Sequence, residues 1–239
     1  MTLPDLSPGD WLSLAWFLLC WFGYARYSGL RTRAHQRPRL QDALQAHILH
    51  WIRIMQQRDN RMVDTAVISN IERNATFLAS SCLLIIAGLV TALGASDKAL
   101  NLLADMPFTA LVTPHRWDVG ILLLLIAYIY AFFTFTWCMR QWGFASFLVG
   151  GIPSGADTSP PLTAERERHI EALAQVVWLA IYHFNNGLRA YYFSIALLAW
   201  FIHPLLFMLA STWVVAVLYR REFHSRTLKA LLHGLPETS

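Results

Sequence analysis

The stretch from Asn74 to Ser96, NATFLASSCLLIIAGLVTALGAS, runs for 23 residues without a charged side chain. At about 1.5 Å per residue a helix of that length covers the roughly 30 Å hydrocarbon layer of a bilayer, so it predicts a membrane crossing. Outward from it, three more uncharged runs have the same character: Trp11–Ala25, Val119–Met139 and Ala190–Tyr219. The first is short, but Arg26 can snorkel to the headgroups, which carries the span to about Leu30. The last is too long for an upright helix and holds His203 and Pro204 near its middle, which predicts a tilt, a kink or an extension beyond the bilayer.

Composition agrees with these runs. Apolar residues make up 56% of the 239 and charged residues 14%, against about 25% charged in a soluble domain. A soluble globule, a disordered chain, collagen and a disulfide scaffold are excluded. Cys20, Cys82 and Cys138 fall inside apolar runs and read as packed side chains. The expected fold is an all-α integral membrane protein, a single membrane domain over residues 1–239. It has four transmembrane helices at about 11–30, 74–96, 119–139 and 190–219, with a fifth through Ala172–Leu188 as the alternative.

Basic residues set the orientation. None precedes the first run, nine lie between Arg26 and Arg73, and two, Lys98 and Arg116, lie in the next connection. The excess puts the N-terminus outside and the first connection in the cytoplasm. Four spans then leave the tail basics Arg220, Arg221, Arg226 and Lys229 outside, whereas five bring them in. The residues before the first run include Asp5 and Asp10 and no Lys or Arg, unlike the basic n-region of a cleaved signal. The expected location is a bacterial inner membrane, multi-pass.

Two connections carry amphipathic stripes, over about 40–72 (Leu44, Ile48, Trp51, Ile52 and Met55 on the apolar side) and about 163–188 (Leu173, Val177, Ala180 and Phe184). Ahead of the first, Arg31, Arg33, Arg37 and Arg39 form a cluster suited to anionic lipid. Each stripe enters a span through N-x-x-R-x-x-x-F, at Asn70–Phe77 and Asn186–Phe193. The matched offset suggests a parallel two-fold internal repeat.

At Arg73-Asn-Ala-Thr-Phe-Leu-Ala-Ser-Ser, Gly187-Leu-Arg-Ala-Tyr-Tyr-Phe and Leu218-Tyr-Arg-Arg-Glu-Phe, the chain resembles a family of bacterial and plant membrane proteins known as domain of unknown function five-nine-nine. The resemblance implies a multi-span membrane protein and attaches no activity.

No P-loop, dinucleotide fingerprint, zincin or nucleophile-elbow motif is present, so an enzyme, a cofactor and a metal site are not expected. Glu165 and His169, four apart, sit in a mixed-charge face better read as solvated than as metal ligands. The basic residues near Trp51 suit a membrane address rather than nucleic acid. Small residues at Ser80, Ala87, Gly88 and Ala92 suit helix packing in a homo-oligomer. The leading function is a small oligomeric channel or transporter with Asn70, Arg73, Asn186 and Arg189 at its cytoplasmic mouth and His203 within a span. A ring of arginines there would favour anions. The runner-up is a membrane scaffold that gathers anionic lipid or a partner protein, and a membrane enzyme comes third.

Overall fold

A computed structural model describes residues 6–33, 40–58, 60–95, 113–151 and 160–234. They form α1 (Pro8–Arg33), α2 (Leu40–Met55), α3 (Met62–Gly94), α4 (Pro114–Gly150), α5 (Pro160–Leu198), a 3-10 turn (Ala199–Phe201), α6 (Pro204–Phe223) and α7 (Arg226–His233). Among the described residues, three stretches are long and apolar enough to cross a membrane: Met62–Gly94, Pro114–Gly150 and Pro204–His233. α3 and α4, at 33 and 37 residues, are about 50 and 55 Å long and outreach a bilayer core.

Helix starts follow local chemistry. α1 opens with a capping box: the Asp10 N–H meets Ser7 Oγ at 3.2 Å while Asp10 Oδ2 accepts from the Ser7 N–H and hydroxyl at 3.1 and 2.8 Å. Thr113 Oγ1 caps α4 through the Arg116 N–H, and Ser225 Oγ caps α7 through the Leu228 N–H. Ser7, Thr113 and His203 each precede a proline at the first helical position, where its missing N–H does no harm.

The chain folds as two compact units. Unit 1 comprises residues 1–37, 81–132 and 188–221; unit 2 comprises 38–80, 133–187 and 222–239. The core of unit 1 is aromatic: Phe17, Phe193, Trp200 and Phe207 are buried with Leu124 and Leu197, and the Trp21 ring stacks on Phe193 at 5.0 Å. Its outer surface is apolar as well, with Leu12, Leu19, Phe22, Leu84, Leu205 and Trp213 all more than 60% exposed. Such a surface suits lipid. The core of unit 2 gathers Ile52, Met55, Ile68, Trp142, Leu173 and Val177, bringing the α2 stripe against parts of α3, α4 and α5.

Several expected boundaries change. The stripe over 40–72 is two helices, because the chain turns after Met55 and Asn60 Oδ1 caps a new start through the Met62 N–H at 2.9 Å. The stripe over 163–188 is not separate from the span after it, since α5 runs unbroken from Pro160 to Leu198. The span over 190–219 is broken at 199–203, where a 3-10 turn ends α5 and Pro204 starts α6. At the C-terminal side α7 packs on α2, with His47 Nε2 at 2.8 Å from the Leu231 carbonyl oxygen and Leu228 buried.

Candidate functional site

The most concentrated chemistry in unit 1 lies where α1 and α4 begin and α5 ends. Asp10 is the third residue of α1, held by its capping box, and its Oδ1 stands 3.5 Å from Arg116 Nε. Arg116, in the first turn of α4, is 4% exposed and Asp10 is 5% exposed. Arg116 Nη2 donates to the Trp200 carbonyl at 2.7 Å, the Trp200 indole N–H donates to the Arg116 carbonyl at 2.9 Å, and the guanidinium carbon lies 5.3 Å from the Trp200 ring centroid. Pro204 deprives that carbonyl of its helical partner, and a charged side chain 84 residues earlier supplies one. Gly120, one turn beyond Arg116, lets Trp200 and Phe201 close in: a Cβ there would lie 2.6 Å from Phe201 Cζ.

Besides the buried Cys82 thiol, which donates to the Tyr191 hydroxyl at 3.4 Å, the buried serines of unit 1 bond locally. Ser13 Oγ donates to the Asp10 carbonyl, Ser194 Oγ to that of Tyr191 and Ser211 Oγ to that of Phe207. None of these hydroxyls is held toward a polar path.

Two grooves flank α1. One, of about 270 Å³, runs between α1 and α4 beside Leu18, Phe22 and Ile126. The other, of about 460 Å³, lies between α1 and α6, floored by Cys20, Gly23 and Ala216 and ending at Tyr27 and Tyr219. Both are lined almost wholly by apolar and aromatic side chains.

The residues singled out from sequence fall in unlike settings. In unit 2, Asn70 and Arg73 are exposed on α3 and Asn186 is half-buried on α5. In unit 1, Arg189 is half-buried with its guanidinium 5.3 Å from the Tyr24 ring centroid. Phe77 is 72% exposed and Phe193 1%, so the two copies of the motif do not share an environment. His203 is exposed and is a helix cap: its Nδ1 accepts from the Leu205 N–H at 3.1 Å, in the turn between α5 and α6 rather than inside a continuous span. Arg37 and Arg39 lie outside the described residues; Arg31 and Arg33 belong to α1, and their side chains lie outside the described residues. His169 Nε2 is engaged by the Leu148 carbonyl at 2.7 Å, which takes that ring nitrogen away from any pairing with Glu165.

Unit 2 has a polar junction of its own. Asp64, 1% exposed, accepts through Oδ1 from the Trp51 indole N–H and from Arg58 Nη1, both at 2.8 Å, tying α2 to the start of α3. Asp64 falls off the apolar side of the 40–72 stripe, where periodicity predicts a solvated side chain, and periodicity gives no sign of the Asp10–Arg116 pair. Asp10 and Arg116 are 106 residues apart and no spacing rule joins them; the Ser7-x-x-Asp10 capping pattern was the one local signal.

The family model for DUF599, described as a protein of unknown function, matches residues 12–227. No curated protein and no solved structure matches the chain. The chain thus belongs to the DUF599 family.

Proposed function

We propose that this DUF599 protein is a membrane-embedded scaffold that engages anionic lipid at the cytoplasmic leaflet. The observation that carries it is the spending of unit 1's buried hydroxyls, and of the Arg116–Trp200 contacts, on local backbone and on one another, while its surface and grooves are apolar. A subunit built this way offers lipid a surface and offers an ion little to replace its hydration shell. The basic residues supply the sign of the lipid, since each near an anionic leaflet contributes about 1 kcal/mol.

A five-crossing topology fits best: α1, α3, α4, α5 and α6, with the N-terminus outside and the tail in the cytoplasm of a bacterial cell. Its support is parity. The chain enters unit 2 after α1, which lies wholly in unit 1; α3, α4, α5 and α6 each have residues in both units, and α7 returns to α2 beside the most basic connection.

An oligomeric channel is the second reading, favoured by the joint exposure of Asn70 and Arg73 one turn apart on α3. It would gather those faces around an axis and conduct anions, and the internal repeat belongs with it. The test reconstitutes the full chain in vesicles of phosphatidylcholine and phosphatidylglycerol. Chloride flux at the level of empty vesicles, with phosphatidylglycerol retained preferentially in native mass spectrometry, is the expected outcome. Flux that falls in Arg73→Gln would replace the scaffold by the channel.

A further inference from the structure

The α1–α6 groove of unit 1 is closed at both ends, and one of them is charged. Near one limit the Trp16 indole N–H donates to Thr212 Oγ1 at 3.0 Å, pinning the helices together. At the other the Tyr27 and Tyr219 rings approach to 6.4 Å between centroids. Trp16 to Tyr27 is eleven residues, so the groove runs for about 16 Å along α1. Its depth comes from small residues: a Cβ built on Gly23 meets no heavy atom within 4 Å.

At the tyrosine end stand two cations. Arg26 follows Gly23 by three residues and Arg220 follows Ala216 by four, so each stands about one turn past a groove-lining residue, next in sequence to the tyrosine that ends the groove on its helix. Both are exposed and neither has a protein partner among the described residues. Their neighbours differ: Arg221 bonds the Tyr192 hydroxyl and Arg189 lies over Tyr24. An apolar slot ending in a tyrosine pair and two unpaired guanidinium groups matches one occupant, a phospholipid with an anionic headgroup. The tyrosines belong at headgroup level, and guanidinium planes offer paired N–H donors to phosphate oxygens.

We infer that the α1–α6 groove is a specific site for one anionic phospholipid, its acyl chain over Gly23 and Ala216 and its phosphate between Arg26 and Arg220. This rests on the scaffold proposal and gives its lipid an address. A second copy of the chain is the competing occupant of so small-residue a floor, but two like charges at the groove end oppose it.

The test is native mass spectrometry of the full chain taken from nanodiscs of equal phosphatidylcholine and phosphatidylglycerol. A Cβ at Gly23 meets open space and leucine favours helix, so Gly23→Leu puts an apolar side chain into the slot while the helix is kept. The expected result is one phosphatidylglycerol fewer retained per chain than in the wild type. In Arg26→Gln/Arg220→Gln a lipid stays, but the preference for phosphatidylglycerol over phosphatidylcholine at that stoichiometry is lost. Arg226→Gln/Lys229→Gln, which removes the same charge from α7, leaves the retained lipid unchanged. Retention equal to wild type in both groove variants overturns the site while leaving the scaffold standing. Loss of an oligomer in Gly23→Leu with lipid unchanged assigns the groove to a second copy. A wild type with no anionic preference defeats both proposals.

Discussion

Asp10–Arg116 in unit 1 and Asp64–Arg58 in unit 2 are the same pair of charges in opposite settings. Both carboxylates are buried, with side chains 7% and 1% exposed, but the Arg116 side chain is 5% exposed and that of Arg58 is 43%. Arg58 keeps water, so its 2.8 Å contact is partly screened. Arg116 has little water and makes up for it with the Trp200 carbonyl and ring. Unit 1 is apolar on both its surface and most of its interior and concentrates charge at one buried junction. Unit 2 buries an aliphatic core and carries charge outward, as in the half-exposed Arg53–Glu167 bridge at 2.9 Å. A buried pair therefore specifies how helix ends meet in apolar surroundings, while a half-exposed one trims the join between two helices.

The largest expected effect breaks the unit 1 junction. Arg116→Met leaves the Asp10 carboxylate buried without its cation and the Trp200 carbonyl without its donor, a loss of about 3–5 kcal/mol. Thermal unfolding in detergent should show a large fall in midpoint, with part of it recovered by adding Asp10→Asn. A midpoint near wild type in the single variant would mean that the junction is hydrated and that the two pairs are alike.

Packing gives an intermediate effect and should not distinguish the units. A Cβ at Gly120 in unit 1 would lie 2.6 Å from Phe201 Cζ, and one at Gly187 in unit 2 lies 2.6 Å from Phe135 Cζ. Gly120→Ala and Gly187→Ala should each destabilise by about 1–3 kcal/mol. If only one of them lowers the unfolding midpoint, the ring in the other unit has room to move and that core is the looser one.

Asp64→Asn should have the smallest effect. The amide oxygen still accepts from Trp51, so the change removes charge from a pair whose arginine is partly solvated, a loss of about 1 kcal/mol. The difference from wild type should shrink as salt is raised from 0.05 to about 0.5 M, because screening falls on the exposed partner. A salt-independent loss as large as that of Arg116→Met would erase the contrast between the pairs.

Much of the helical content was legible because it rests on local chemistry. The uncharged run at 74–96 lies in α3 apart from its last residues, and that at 119–139 lies wholly in α4. Cys20, Cys82 and Cys138 are free and buried, as their apolar neighbours implied. The boundary after Met55 was not legible, because a helical stripe continues smoothly across a cap and Asn60 acts on a single hydrogen bond that periodicity does not register; the break after Leu198 was legible as a kink at Pro204, though not as a 3-10 turn. Of the candidate residues, His203 was noticed for the right neighbour and given the wrong setting. It caps the helix that Pro204 starts.

Sequence by itself determined that this chain is helical, that some of its runs are long and apolar enough to cross a membrane, and that its basic residues crowd the connection after the first apolar run. Those properties are sums over neighbouring residues, and the 1.5 Å rise of a helix converts them directly into length and surface. Tertiary structure alone decided that the tail returns to α2 through His47 and Leu231, and that Arg116 answers the carbonyl freed by Pro204. It also decided that Gly23 opens a groove while Gly120 and Gly187 close against aromatic rings. These depend on groups far apart in the chain meeting within a few ångströms. Desolvation there leaves each polar atom only the partners that the fold brings to it.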